Sequence, residues 1–208
     1  MTAIDQSDWP KDKPAYDWDD ETGLSPRPIP GQKGGQYVLT GLAHDKNSKI
    51  AYVANINQFS TEKRSRKLEH FRKTMTQPKT FGPDSGDLLV VGWGSTRGAI
   101  EEAISDLQAA GKKVSSLHLR FLSPMEPGIK EIFSKFKEVM TVELNYSDEK
   151  PYGPDDERRP PQLALLLRAH TRMEIDHWSR VPGTPLAPAV IREALENKLA
   201  QATGETNV

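Results

Sequence analysis

The chain contains no cysteine and no long apolar run. Without cysteine it has no disulfide, no thiolate-ligated zinc or iron–sulfur site and no cysteine nucleophile. No stretch reaches the roughly 18 apolar residues of a membrane helix. The acidic first ten residues also lack the apolar core of a signal peptide. We therefore predict a cytoplasmic protein without a membrane segment.

Neither sign of charge is in excess, because the formal net charge is -1 over 208 residues. This balance excludes a protein that binds nucleic acid through an overall positive charge. Apolar residues make up 36% of the chain, and the first thirty residues and the last few are the most polar. The length suits one α/β domain with extensions better than two complete domains.

The most regular pattern lies between Asp87 and Asn145. Residues 88–91 are four consecutive apolar residues closed by Gly92, which is typical of a strand buried on both faces. Two further strands are predicted at 114–121 and 139–144. These three strands form the centre of the predicted domain.

The segments between these strands carry the helical spacing of apolar residues. The first helix begins with Ser95 or Thr96 as N-cap and ends at Gly111. The apolar residues are Ile100, Ala103, Ile104, Leu107 and Ala110 in the first helix, and Ile129, Ile132, Phe133 and Phe136 in the second. The alternation of strands and helices predicts right-handed crossovers and a mostly parallel sheet, so the fold class is α/β.

The rest of the chain adds elements on both sides of this centre. Residues 163–167 predict a buried helix after Pro161, residues 173–181 a fourth strand and residues 188–200 a last helix. Residues 1–30 hold five prolines and seven acidic against three basic side chains, which predicts an extended arm whose aromatic residues need a surface. The predicted parts are the arm 1–30, a hairpin or irregular strands with a basic helix at 60–75 and a linker over 31–85, the α/β domain 86–201 and a tail 202–208.

The turn from Gly92 to Gly98 is the first candidate site. It precedes a helix N-terminus, where backbone N–H groups favour an anion. It departs from the dinucleotide-binding fingerprint, because its third glycine comes one residue late and no acidic residue ends the second strand. Gly94, Ser95 and Thr96 are therefore candidates for a cofactor-binding turn, and the alternative is that the glycines only permit a tight turn.

Two other groups of polar residues are candidate functional sites. The basic helix carries Arg64, Arg66 and Lys67, which suit an acidic partner or a phosphate, or else a solvated face that pairs with the acidic arm. His44 beside Asp45 resembles a base with its carboxylate, although adjacent side chains rarely point the same way.

Glu143 and Asn145 follow the third strand at the edge where open sheets bind ligands, or they only cap that strand. The histidines show no metal-ligand spacing. The residues by themselves therefore predict no catalytic residue, no metal site and no self-sufficient active site.

Taken together, these residues resemble the segment that leads into and forms domain II of 2-oxoacid:ferredoxin oxidoreductase α subunits, most closely the 2-oxoglutarate type. The resemblance runs from about residue 16 to 195. The matching stretches are Arg-Pro-Ile-Pro-Gly at 27–31, Gly-Gly-Gln-Tyr at 34–37, Thr-Gly-Leu-Ala-His-Asp at 40–45, the basic run at 63–68, Gly-Trp-Gly-Ser at 92–95, Leu-Arg-Phe-Leu-Ser-Pro at 119–124 and Val-Glu-Leu-Asn at 142–145.

The resemblance implies a three-layer α/β/α fold like the transketolase C-terminal domain, with an extended N-terminal arm. It also implies membership of a complex that converts a 2-oxoacid and CoA to acyl-CoA and CO2 and reduces ferredoxin. Such a complex uses thiamine diphosphate, magnesium and an iron–sulfur cluster. The Tyr-Pro-x-Thr-Pro and Gly-Asp-Gly motifs of the thiamine-binding domains are absent from this sequence.

The resemblance thus implies the C-terminal part of an α subunit, non-catalytic and inactive alone, that binds no cofactor by itself. Its expected partners are the remaining α-subunit domains, the β subunit and, through the complex, ferredoxin. Arg64, Arg66, Lys67, His44 and Asp45 are then the candidate interface. Two alternatives stay open: an independent phosphate-ligand-binding α/β module, and the C-terminal domain of an E1 β or transketolase-like subunit.

Overall fold

A computed structural model describes residues 7–148 and 158–203, with the side chains of 202 and 203 left out. The chain forms two compact units, Met1–Met75 and Thr76–Val208. The start of the predicted arm, most of the predicted loop 146–161 and the end of the predicted tail lie outside the described residues. The four-part division of the chain stays a prediction.

Unit 2 contains a sheet of four parallel strands in the order β2-β1-β3-β4. The strands are β1 (Gly86–Trp93), β2 (Val114–Leu119), β3 (Phe136–Glu143) and β4 (Asp176–Ser179). The predicted parallel α/β sheet is confirmed. β1 and β3 are the central strands, which explains why residues 88–91 are apolar on both faces.

Helices cover both faces of the sheet. They are α2 (Arg97–Ala109), α3 (Ile129–Phe133), α4 (Gln162–Thr171) and α5 (Pro188–Thr203), and α1 (Ala54–Thr74) belongs to unit 1. Leu89 and Val91 pack with α3 and α4, whereas Leu88 and Val90 pack with α2 and α5. Unit 2 is therefore a three-layer α/β/α domain. None of the described helices combines the length and the apolar character needed to cross a lipid bilayer.

The apolar spacing predicts four of the five residues of the buried face of α2 correctly, whereas Ala110 is exposed and follows the last helical residue, Ala109. Ile100, Ala103, Ile104 and Leu107 are all buried against the sheet. The helix ends at Gly111, which adopts φ +79°, and the N–H of Lys112 donates to the carbonyl of Leu107 at 3.0 Å. This is the Schellman arrangement expected of a glycine C-cap.

Three sequence predictions need correction. Phe136 begins β3 and is not part of the second helix, because α3 ends after little more than one turn at Phe133. Ser60 is buried inside α1 and does not cap it, since the helix begins at Ala54. The second predicted strand ends at Leu119 rather than at Phe121.

Unit 1 consists of the arm and an irregular segment packed on α1. Tyr16 is buried, its ring lies parallel to that of His44 at 5.0 Å, and Trp18 packs edge-on against Phe59 of α1 at 5.8 Å. The ammonium of Lys63, which is 4% exposed, pairs with the Asp20 carboxylate. The aromatic residues of the arm thus find their surface within the unit. The predicted hairpin is reduced to a single bridge between His44 and Ile50.

Gly23 lets the arm approach the backbone of α1. It has φ +69°, and a Cβ there would lie within 2.7 Å of the Lys67 nitrogen. We expect Gly23→Ala to cost roughly 1–2 kcal/mol for the left-handed conformation and about 1–3 kcal/mol more for the collision. Denaturation monitored by hydrogen exchange of the α1 amides measures this loss.

Gly31→Ala is the matched control, because Gly31 also has positive φ, +88°, but nothing lies within 4 Å of its added Cβ. It should carry the conformational cost alone. Equal losses for the two variants would contradict the close approach of the arm to α1.

Candidate functional site

The carboxyl ends of the parallel strands bring several polar segments to one edge of the sheet, where open α/β sheets bind ligands. The turn after β1, Arg120 after β2, Asn145 after β3 and Arg180 after β4 all lie there. The strand order reverses between β1 and β3. The segments after these two strands therefore flank the switch point.

The turn after β1 contains the first sequence-predicted candidates. Gly94 has φ +64° and, like Ser95, is exposed, whereas Thr96 is buried. The Thr96 hydroxyl donates to the Trp93 carbonyl at 3.0 Å instead of capping α2. A Cβ on Gly92 would lie 2.9 Å from the Thr96 hydroxyl oxygen. The geometry supports the tight-turn alternative, and the cofactor role of Gly94, Ser95 and Thr96 remains only a prediction.

A buried carboxylate organises the segment after β3. Glu143 is 0% exposed, and its two oxygens accept hydrogen bonds from the backbone N–H groups of Leu163 and Ala164 at 2.8 and 2.9 Å. The carboxylate also accepts from Thr141 Oγ1 at 2.8 Å and Asn145 Nδ2 at 2.7 Å. All four partners donate, so an ionised Glu143 is fully paired.

Glu143 takes the place of the missing N-cap of α4. The residue before this helix is Pro161, which has no side-chain acceptor. An N-cap side chain ordinarily accepts from the second and third helical N–H groups, which here belong to Leu163 and Ala164. The negative charge also lies at the positive end of the helix dipole. The geometry therefore favours the capping alternative for Glu143 over a catalytic one.

Some buried polar atoms near the sheet have no hydrogen-bond partner. They are both ring nitrogens of His177 in β4, Nδ1 of His118 in β2 and Oδ1 of Asn145. Burial lowers the pKa of His177 below its ordinary value of 6.5, and the charge of Arg158 lowers it further. Burial is also the main cause that lowers the pKa of His118, followed by the charge of Arg97. Burial therefore favours the neutral form of both rings.

Asp148 and Arg159 join the two described stretches of unit 2. The guanidinium of Arg159 donates from Nε and Nη2 to the buried Asp148 carboxylate at 2.8 and 3.0 Å. The bonds from Arg159 lower the pKa of Asp148 below its usual range. Nearby, the hydroxyls of Ser147 and Ser179 lie 2.7 Å apart. The first pair ties the segment after β3 to the residues before α4, and the second ties it to the end of β4.

The predicted interface residues all lie in unit 1. Arg64, Arg66 and Lys67 are exposed on α1, and Arg66 pairs with Glu62 at 3.2 Å. His44 is 4% exposed, and its Nε2 lies 3.2 Å from Thr40 Oγ1. Asp45 accepts from the backbone N–H groups of Asn47 and Lys49, so it orders its own loop. His44 and Asp45 therefore form contacts within unit 1, whereas Arg64, Arg66 and Lys67 of α1 are exposed to solvent.

The sequence analysis did not single out His118, Arg120 or His177. His118 and His177 belong to no recognisable motif, and Arg120 lies in the stretch 119–124 that carries the family resemblance but was not identified there as a site residue. The alternation within β2 was the available signal, because it places His118 in an otherwise buried strand. Among residues 7–148 and 158–203, no group of three or more His, Asp or Glu side chains could hold a metal ion.

Replacing Glu143 by glutamine tests the cap on α4. Glu143→Gln keeps the shape but turns an amide donor toward groups that also donate, so we expect a loss of about 2–4 kcal/mol in unfolding free energy. Urea denaturation measures the loss. Glu102→Gln on the exposed surface of α2 is the control for removing one carboxylate. A similar small effect for both variants would contradict the cap.

The buried imidazole of His177 predicts a pH dependence of stability. Below about pH 6.5 the unfolded chain binds a proton that the folded chain does not. The unfolding free energy therefore decreases as the pH is lowered, until the pH reaches the lowered pKa of the folded state. His177→Leu should reduce this slope and leave the part due to His118. Urea denaturation between about pH 5 and 7.5 measures it. His170→Gln is the comparison for losing an exposed histidine, and an unchanged slope in His177→Leu would contradict the prediction.

The comparisons with known proteins agree with the fold and with the sequence resemblance. No protein-family model matches the chain. It is 28% identical over 191 residues to the 2-oxoglutarate oxidoreductase subunit KorA of Mycobacterium tuberculosis. The aligned region covers 89% of this chain and 27% of that protein. It is also 28% identical over 194 residues to subunit alpha of 2-oxoacid:ferredoxin oxidoreductase 2 of Aeropyrum pernix, covering 90% and 27%. The chain thus spans about a quarter of the length of these curated relatives.

A solved structure supports the fold. The 2-oxoglutarate:ferredoxin oxidoreductase of Magnetococcus marinus superposes with a TM-score of 0.72 and 24% identity over 95% of this chain and 33% of the solved chain. The predicted α/β fold is confirmed by this likeness. The resemblance found in the sequence is confirmed as well: over nine-tenths of its length the chain is similar to part of the α subunit of 2-oxoacid:ferredoxin oxidoreductases.

Proposed function

We propose that this chain is a non-catalytic assembly domain of the α subunit of a thiamine diphosphate-dependent 2-oxoacid:ferredoxin oxidoreductase, and that it corresponds to the C-terminal part of that subunit. The complex would convert a 2-oxoacid, in our proposal 2-oxoglutarate, and CoA to acyl-CoA and CO2 and reduce ferredoxin. The names of the similar proteins support this assignment. The solved structure with similar fold holds 2-oxoglutarate, coenzyme A and succinyl-CoA, which fits the proposed substrate class.

The observation that carries the proposal is an exposed apolar surface in unit 1. Between residues 38 and 53, Leu39 is 72% exposed and Tyr52 is 86% exposed. The same segment exposes Val38, Leu42, Ile50 and Val53. The backbone N–H of Ala51 donates to the Ala43 carbonyl at 2.9 Å, which brings the two limbs of this segment together. Exposed apolar patches of this kind mark interaction sites.

Helix α1 offers a second contact surface in the same unit. Phe59 and Leu68 are each more than 40% exposed on it. Arg64 and Lys67 lie on the same helix and form no ion pair with any residue in the described part of the chain. A partner with an apolar surface and acidic groups at its rim would complement α1. The remaining α-subunit domains and the β subunit are the partners that we propose.

The chemistry of the complex would reside outside this chain. Among the described residues, the fully buried carboxylate of Glu143 is occupied by four donors, and we propose no catalytic role for the Thr40 hydroxyl that lies beside His44 Nε2. We propose that thiamine diphosphate, magnesium, the iron–sulfur cluster and CoA are bound by the other domains in the cytoplasmic complex. The isolated chain would then be inactive. It would bind and position the domains that carry the cofactors.

Reconstitution tests this function. The 208-residue chain is added to a complex that lacks the corresponding segment, and binding and 2-oxoacid-dependent ferredoxin reduction are measured together. We expect both to be restored by the wild-type chain. The double variant Leu39→Ser/Tyr52→Ser should bind roughly tenfold or more weakly, because buried aromatic and aliphatic anchors dominate interfaces.

Val181→Ser is the matched control, since Val181 is 61% exposed in unit 2. Arg66→Ala and Lys67→Ala in the same assay determine whether α1 takes part, and unchanged assembly would remove α1 from the interface. A wild-type chain that neither binds nor restores activity would overturn the proposed function.

A further inference from the structure

Unit 2 contains a cleft of about 390 Å³ at the outer edge of the sheet, beside the carboxyl end of β2. Residues 76–81 form one wall, and the first turns of α2 form another. The floor carries His118 and Arg120 from the end of β2 and, next to them, Glu126. Apart from Arg97, the cleft does not involve the glycine turn after β1.

The wall formed by residues 76–81 is fixed to the rest of unit 2. The backbone of Phe81 pairs with that of Ser116 through two hydrogen bonds of 2.8 and 3.0 Å. At the other end of the segment, the side-chain amide of Gln77 donates to the Gly128 carbonyl at 3.3 Å. The cleft is therefore a built feature of the domain rather than a gap beside a loose loop.

Positive charge in the cleft is incompletely neutralised. Arg97 is paired with Glu101 at 2.8 Å. Glu126 is buried and accepts the backbone N–H of Arg120 at 2.9 Å, so this carboxylate does not pair with the Arg120 guanidinium. Within the described part of the chain, the charged groups of Arg120 and Lys79 form no ion pair. Two cations thus remain without an ion-pair partner, against the one carboxylate of Glu126, which leaves the lining with a net charge of +1.

One residue that lines the cleft, His118, has a polar atom without a partner. Nδ1 of His118 is buried and makes no hydrogen bond. Arg97, Glu101 and Glu126 are the charged groups that influence this ring. A ligand oxygen beside Nδ1 would supply the missing hydrogen bond, and a negative ligand would favour the protonated ring as a donor.

We propose that this cleft binds a small phosphomonoester. The phosphate dianion would lie between the guanidinium of Arg120, the ammonium of Lys79 and Nδ1 of His118, because guanidinium and ammonium groups are the usual donors to phosphate. The organic body would lie against Phe81, which is 39% exposed, and Pro78. The volume falls in the range of small-molecule sites. This proposal does not depend on the proposed role in an oxidoreductase complex.

Titration of the full 208-residue chain with inorganic phosphate tests the site. Amide NMR shifts and calorimetry are recorded at constant ionic strength adjusted with sodium chloride. We expect saturable shifts at the cleft residues, and at least tenfold weaker binding in Lys79→Ala/Arg120→Ala. The control Lys130→Ala/Lys135→Ala removes two exposed cations elsewhere in unit 2 and should bind as wild type.

A second readout follows the imidazole of His118. Saturating sulfate, a dianion that does not titrate near neutral pH, should raise the measured pKa of His118 in the wild type and in the control, but not in Lys79→Ala/Arg120→Ala. Any of three results would overturn the proposal. They are the absence of saturable shifts in the cleft, equal phosphate affinity in both double variants, and a His118 pKa that does not change when sulfate is added.

The organic body of the ligand is tested with phenyl phosphate as the probe. It should bind at least threefold more tightly than inorganic phosphate, and Phe81→Ala should remove this advantage. The Phe81 variant keeps the backbone bonds to Ser116 and should fold. Equal affinity for phenyl phosphate and inorganic phosphate in the wild type would overturn the assignment of a phosphomonoester.

Discussion

The arrangement of unit 2 depends on one buried carboxylate. Glu143 stands at the end of a central strand and accepts hydrogen bonds from the second and third N–H groups of α4, twenty and twenty-one residues later in the chain. A helix that follows proline has no capping side chain of its own. The strand therefore supplies the acceptor, and two hydrogen bonds to the Glu143 carboxylate fix α4 on the sheet in addition to apolar packing. The hydrogen bonds of Glu143 thereby connect the end of β3 to the start of α4.

The sequence allowed much of the fold to be predicted. The apolar residues 88–91, closed by Gly92, are typical of a strand buried on both faces, and the spacing in α2 identifies its buried side. Phe136 was misassigned because an apolar residue three positions after Phe133 fits a helix as well as the start of a strand. Ser60 was misassigned because a serine hydroxyl can also bond back to a carbonyl within the helix, here that of Asn57.

The candidate sites were harder to predict than the fold. Glycines at 92–98 mark a turn in the sequence, yet close packing requires only Gly92, because nothing lies within 4 Å of a Cβ added at Gly94 or Gly98. The cleft beside β2 brings together Lys79, Arg120 and Glu126 from separate segments. No local sequence motif predicts that these residues lie close to one another. Unit 1 exposes apolar side chains between residues 38 and 53 and the cations Arg64, Arg66 and Lys67 on α1, whereas the cleft beside β2 lies in unit 2.

The pairing of Phe81 with Ser116 has a consequence for the ways in which this sheet can meet other proteins. β2 is an edge strand, and an open edge of backbone N–H and carbonyl groups attracts strands of other chains. The chain itself occupies that edge at Ser116, and the opposite edge strand, β4, has only four residues. Addition of a foreign strand is therefore disfavoured on both sides. Contacts of unit 2 must be made through side chains, and such contacts can be altered one substitution at a time.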